Sequence, residues 1–411
     1  MQTQSERHHD IVIVGGGLVG ASLAIALDGS GLDVALVEGT PPGVMPAVFD
    51  ERSLSFGEAT VNALSALDVL PRLRSGGGPI RRIDITRAGE FGRARLDATR
   101  YGREAFGQVV VARDFGEALE ARLADVPGLV RYRPARFLDT SLAGGVRSVR
   151  LDVDGASLTL RTPLLVGADG TASSVREALG IATDVRDYGH ALFVARLRTA
   201  KPPDGTAYER LTDDGPTALL PRADRHFGLV HGVADAEADA VGAMDDAGFI
   251  ARVQAAVGWR HGRVLACGPR SRYPAQRRVA EATIAGRAVL IGNAAQALHP
   301  LGAQGFNLGL RDALTLAETL AGDARGAIGN DAQLAGYAAR RAEDRERTLA
   351  FSDGFLRIGM RPSAWMAPLR SLGLMALDPP SWLQAWLVGG AMGYRGDVPA
   401  LCRTDSGRRR A

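Results

Sequence analysis

Ile11-Val12-Ile13-Val14-Gly15-Gly16-Gly17-Leu18-Val19-Gly20 opens the readable part of the chain. Four apolar residues that run straight into glycines read as a buried strand. Gly15-x-Gly17-x-x-Gly20 then starts a small-residue helix over 18–30, and Val34-Ala35-Leu36-Val37 forms a second apolar strand that stops at Glu38. Strand, glycine turn, helix and strand make a βαβ unit with a right-handed crossover. In that context Gly15 permits the tight turn, Gly17 lets backbone approach a pyrophosphate, and Gly20 lets helix pack on strand. The N–H groups of Leu18 and Val19 stand at the helix start, and the Glu38 carboxylate suits ribose hydroxyls. These residues predict a dinucleotide site without separating FAD from NAD.

Two later segments carry the same chemistry. Leu164-Leu165-Val166 reads as a strand ending at Gly167-Ala168-Asp169-Gly170, with Arg176 beyond. Asp169 there either caps a short helix or lies beside the cofactor. Ala288-Val289-Leu290-Ile291 is another strand. It runs into Gly292-Asn293-Ala294-Ala295-Gln296-Ala297-Leu298-His299-Pro300-Leu301-Gly302-Ala303-Gln304-Gly305-Phe306-Asn307, and an apolar-periodic helix follows over 308–320. Pro300, Gly302 and Gly305 let this loop come close to an electron-rich group at a helix N-terminus. Gln304 and Asn307 contact either that group or their own turn. His299 caps the loop or faces the site, and Arg311 and Asp312 read as a pair on one helix face.

Composition narrows the class. The 411 residues, 46% of them apolar, can form a large core and more than one domain. The formal charge is +3, and the positive charge is almost all arginine, Lys201 being the only lysine. The arginines are dispersed apart from Arg408-Arg409-Arg410, so a nucleic-acid surface is not expected. Cys267 and Cys402 lack any partner pattern, so neither a disulfide framework nor a metal site is expected. The polar 1–10 stretch has no signal-like apolar core, and no run reaches membrane-span length. The expectation is a cytoplasmic enzyme.

The chain order implies a discontinuous domain. Helical patterns appear at 58–73 and 114–124, Gly76-Gly77-Gly78-Pro79 is a break, and 80–100 and 130–163 alternate like strands. From 185 to 280, short alternating segments separated by turns predict an antiparallel sheet. The division expected is 1–78, 101–182 and 281–350 for the dinucleotide domain, with 79–100 and 183–280 for a substrate domain. Residues 351–411 would form a C-terminal helical segment and a flexible tail.

Taken together, the three glycine motifs resemble those of the FAD-dependent aromatic hydroxylases of the para-hydroxybenzoate hydroxylase fold, over about residues 8–350. The third motif of that family usually begins Gly-Asp, whereas this chain has Gly292-Asn293. That departure, with Gln304-Gly305-Phe306-Asn307 and Arg311-Asp312, resembles the ubiquinone-biosynthesis branch. Phe49-Asp50-Glu51-Arg52-Ser53 resembles the segment whose arginine touches the flavin nucleotide, and Arg113 occupies the slot of another such contact. Tyr208-Glu209-Arg210-Leu211-Thr212, Gly215-Pro216, Gly258-Trp259-Arg260 and Arg270-Ser271-Arg272-Tyr273-Pro274 resemble the substrate domain of the 2-polyprenyl-6-methoxyphenol hydroxylases.

The resemblance implies an α/β fold: a discontinuous Rossmann-like FAD-binding domain, an inserted antiparallel substrate sheet and a C-terminal helical segment. It implies bound FAD, NADH or NADPH as transient reductant, and ring hydroxylation of a 2-polyprenyl-6-methoxyphenol through a flavin C4a-hydroperoxide. The FAD contacts it implies are Gly15, Gly17, Leu18, Val19, Gly20, Glu38, Arg52, Arg113, Asp169, Gly292, Asn293, Pro300, Gly302, Gln304, Gly305 and Asn307. No acid or base is assigned; His299, Gln304 and Tyr273 are the candidates, though Tyr273 and Trp259 read first as core. Hydroxylation at another ring position of the same pathway, or a flavin-binding scaffold role in a biosynthetic complex, are the alternatives. The apolar 351–395 stretch, punctuated by Arg357, Arg361 and Arg370, reads as packed helices or as a surface for the inner face of the membrane or for complex partners.

Overall fold

The computed structural model describes residues 6–47, 49–322, 325–360, 364–378 and 382–403. Arg361 and Arg408–Arg410 lie outside the described residues, as do the side chains of Trp382 and Leu383. Five parallel strands form the central sheet, in the order Ala288–Leu290, Leu164–Gly167, Ile11–Val14, Val34–Val37 and Val130–Tyr132. Ile11 to Val14 are all buried because both faces are covered, which is why the strand is continuously apolar. Ile11, Ile13 and Leu36 face helices Leu18–Ala26, Ala112–Ala124 and Gln304–Gly322. Val12, Val14 and Val37 face a smaller sheet built from Glu6–His8, Ala156–Thr162, Val146–Val153 and Arg136–Ala143. The first helix ends at Ala26, shorter than the sequence pattern predicts, and a turn leads to the second strand.

The second layer is a nine-stranded sheet. Strands Arg82–Arg87 and Arg93–Asp97 join those of the 183–280 region across their long separation in sequence. Pairing is antiparallel except between Thr206–Leu211 and Arg82–Arg87, which run parallel. One face of this sheet packs Phe193, Leu219 and Phe227 against helices Asp235–Gly242 and Asp246–Val257. The other face looks at the central domain. His190 meets His299, Tyr273 meets Asp50, Gly228 lies against Ser53, and Leu211 packs on Leu301. A three-stranded sheet of Ser53–Gly57, Gly107–Val111 and Gly78–Pro79 lies at this junction.

Candidate flavin site and active site

Helix Leu18–Ala26 begins with Gly17 as N-cap, with no side-chain cap and no acidic residue in its first turn. Its first N–H groups are therefore open to an anion. Gly15 has φ +109°, and a Cβ there would meet the Ala168 carbonyl oxygen at 2.5 Å. A Cβ on Gly20 would fall on the Gly15 carbonyl oxygen. Glu38 accepts from the N–H of Gly16 at 2.9 Å and of Thr40 at 2.8 Å, one bond to each oxygen. A carboxylate has further lone pairs, so ribose hydroxyls can still be held.

The third motif closes on this turn. Gly292 has φ +58° with Val19 beside it, and Gly309 packs on Gly292. Asn293 is exposed on this rim. Gly302 and Ala303 both have positive φ, at 73° and 50°, just before helix Gln304–Gly322. Ala303 pays a steric cost there that glycine would not, the kind of strain that gathers at ligand sites. Nothing lies within 4 Å of a Cβ on Gly305, and Pro300 is exposed. Gln304 donates to the carbonyl oxygens of Gly302 and Ala391, while its own buried Oε1 has no partner. Open helix N–H groups, a close-approach glycine turn, a carboxylate at the second strand end and an orphaned amide oxygen fit a bound flavin dinucleotide.

Other predicted residues have partners within the chain. Asn307 accepts from Gly57 N–H and donates to the carbonyl oxygens of Ser55 and Ala303, so its amide ties the helix to a neighbouring strand. Asp169 accepts from Ser173 Oγ and, at 3.1 Å, from Val175 N–H, while Arg176 donates to the carbonyl oxygens of Ala294 and Thr171. Arg113 is exposed and paired with Glu51. Arg311 and Asp312 do not pair with each other. Arg311 binds Asp344, and Asp312 binds Arg341, both pairs being buried. Trp259, read as core, is 69% exposed. It lines a cavity of about 350 Å³ with Tyr208, Arg210 and Arg260, on the sheet face that carries the helices.

Arg52 stacks over the Tyr273 ring at 4.9 Å and donates to Asp50, which also accepts from the Tyr273 hydroxyl. Burial, then the Asp50 carboxylate, holds the Tyr273 phenol above its ordinary value. That makes it a poor proton carrier, and its place is a brace between the two domains.

His299 is wholly buried, and its Nδ1 accepts from Leu301 N–H at 3.0 Å. Its proton must then sit on Nε2, 2.9 Å from His190 Nε2, and the His190 proton faces the Tyr188 carbonyl oxygen. The pair is neutral: burial, then His190, lowers His299 to about 3, and burial lowers His190 too. Because the folded value lies below the unfolded one, this contribution is present above about pH 6.5 and fades as pH falls towards 3. His299→Asn keeps an acceptor for Leu301 and removes the titration. Melting curves from pH 7 to 4 should lose about 1.4 kcal/mol less per pH unit in the variant; parallel curves would refute the assignment.

A family model described as an FAD binding domain matches residues 8–352. "Ubiquinone hydroxylase UbiL" of Rhodospirillum rubrum is 31% identical over 396 residues, covering 93% of this chain and 89% of its own. The "3-demethoxyubiquinol 3-hydroxylase" of Escherichia coli is 29% identical, covering 76% of this chain and 79% of its own. Among solved structures, p-nitrophenol 4-monooxygenase from Pseudomonas putida superposes with TM-score 0.78 at 16% identity, over 95% of this chain and all of that one.

Proposed function

The chain belongs to the FAD-binding-domain family of flavoprotein monooxygenases, and on that premise we propose that it hydroxylates the ring of a 2-polyprenyl-6-methoxyphenol in ubiquinone biosynthesis. The observation that carries this reading is the sheet face turned towards the flavin loop. The flavin loop around 299–305 faces a row of mainly apolar side chains at the centre of the nine-stranded sheet. Val194, Val230 and Ile85 stay partly accessible there although the sheet is covered, which marks room for an apolar ring.

FAD held here would supply the redox chemistry, passing two electrons from NAD(P)H to O₂ so that one oxygen atom goes to an electron-rich ring and the other to water. The work of the chain is placement. The N–H groups of Leu18, Val19 and Gly20 take the pyrophosphate, and Glu38 takes the ribose hydroxyls. Asn293 holds the ribityl chain through an uncharged amide. The N–H groups of the Gly302–Gly305 turn offset negative charge on the flavin ring. The facing sheet keeps water from the reacting atoms.

The test is turnover of a short-chain prenyl methoxyphenol by the holoprotein under ¹⁸O₂. Product with one ¹⁸O at the ring carbon supports the reading; NAD(P)H oxidation that yields only hydrogen peroxide sinks it. The E. coli relative, a 3-demethoxyubiquinol 3-hydroxylase, favours a second reading, attack at another ring carbon. The position of the label separates the two.

A polyprenyl chain also needs a route from lipid. Among the described residues no helix is long and apolar enough to cross a membrane. Trp365, Leu369 and Leu372 are exposed at 74%, 57% and 56%, on one stripe at and beyond the start of helix Ala367–Ala376. Arg370, on the opposite side, is buried against Glu90. We read the stripe as a peripheral membrane contact. Serine at all three positions should reduce co-sedimentation with anionic vesicles about tenfold or more, given the apolar area removed, with flavin content unchanged. Undiminished sedimentation would argue against it.

A further inference from the structure

Strand register fixes which side chains share the inward face of the nine-stranded sheet. Val194 lies opposite Val230, Val230 opposite Ala218, Ala218 opposite Glu209, and Glu209 beside Ile85. One row across five strands is thus Val, Val, Ala, Glu, Ile. This is the row that faces the flavin loop, since Leu211, two residues on from Glu209, packs on Leu301. A carboxyl group in such a row should have a partner. Glu209 has none at Oε1, which is closed off from solvent.

Ser271, opposite Val194, continues the row with a hydroxyl, and several other polar groups on this face are engaged. Arg87 binds the Gly359 carbonyl oxygen and Asp213, Arg196 reaches Asp224 at 3.8 Å, His190 meets His299, and Tyr273 meets Asp50. On the helix packed beside Leu211, Asp353 is held by Arg186 and Tyr188.

We propose that Glu209 grips the hydroxyl of the substrate phenol: one carboxyl oxygen accepts a hydrogen bond from the phenol, and the carboxyl O–H donates to the adjacent ring oxygen. This rests on the aromatic-hydroxylase reading and adds a residue that the motifs did not single out. Burial pushes the Glu209 carboxyl up to about 8, so at neutral pH it keeps its proton and both donates and accepts. An ortho-methoxyphenol presents the matching acceptor and donor side by side. The unpartnered oxygen is then a stability cost kept for binding, since a leucine in the same row would leave no polar atom unsatisfied.

The test uses the oxidised holoprotein and two probes of nearly equal size, 2-methoxyphenol and 1,2-dimethoxybenzene, with binding read from the flavin absorbance. The wild type should prefer the phenol by about 10- to 100-fold, the range for a buried polar group left unpaired. Glu209→Leu should erase the preference while holding or raising the melting temperature. Glu209→Gln, with a donor and an acceptor, should retain most of it. Infrared difference spectra give a second readout: a protonated carboxyl band that shifts with the phenol, not with the ether, and is missing in Glu209→Gln. Full preference in Glu209→Leu, or a band indifferent to the phenol, overturns the proposal. The parent reading fails differently: a Glu209-dependent preference for the phenol with no oxygenated product refutes hydroxylation and leaves the grip in place.

Discussion

Gly20→Ala is expected to give a protein that purifies without flavin. The added methyl would land on the Gly15 carbonyl oxygen, with the Ala168 side chain 3.1 Å away on the other side. Gly15 cannot retreat, because its φ of +109° and the nearby Ala168 carbonyl fix it in place. The helix Leu18–Ala26 must therefore move off the strand end. Forcing a methyl into closed space costs about 1–3 kcal/mol, and the shift also turns the open N–H groups away from the pyrophosphate. Gly336→Ala is the contrast. It sits inside helix Asp331–Met360 with nothing within 4 Å of a new Cβ, so it should gain about 0.5–1 kcal/mol. Flavin-to-protein absorbance ratios and melting temperatures read both. A yellow Gly20→Ala protein with wild-type stability would contradict the role given to this turn.

That turn was legible because its evidence is local. An apolar strand, three glycines and a small-residue helix are adjacent in sequence, and hard-sphere sterics alone link them to a close approach. The inserted sheet was legible in the same way from its alternation. The helices Asp235–Gly242 and Asp246–Val257 were not read, although Asp235 and Glu237 in one first turn and Asp245 as the N-cap of the other were available signals. What stayed hidden depends on partners far apart in the chain. Arg311 and Asp312 are adjacent and of opposite charge, so a local reading pairs them. In the fold both point into the protein, and each meets a residue of the next helix, 29 to 33 positions on. The signal was the apolar run around them, since a buried arginine requires a buried anion. Glu209 was invisible as chemistry for a related reason. Only register shows that it, rather than Tyr208, faces the flavin loop.

The largest stability loss should come from Asp344→Asn. Asp344 is fully buried and binds Arg311 at 2.6 Å and Arg341 at 2.7 Å, with Thr348 as a further donor. Burial pushes its carboxyl up, but the Arg311 and Arg341 guanidiniums outweigh that and hold it below the ordinary value. Removing the charge leaves Arg311 buried without an anion, at a cost of about 3–5 kcal/mol. Arg341 keeps Asp312, yet that link is the one that matters for flavin. Asp312 accepts from Gln296 at 2.6 Å and from the Gly292 N–H at 3.4 Å, so the ion network anchors the start of the flavin loop. Loosening it should weaken FAD retention together with stability. The exposed pair Arg347–Glu343 offers the control: Arg347→Ala should change stability by less than about 0.5 kcal/mol. The pH dependence has a defined sign. A carboxylate with a depressed folded value stabilises fully above its unfolded value near 4, and that stability is lost as pH falls through the folded value. Asp344→Asn should therefore melt lower than wild type at pH 7, and the gap should narrow as pH drops below about 4. A constant gap down to pH 3 would mean that the carboxylate charge is not what holds the two arginines.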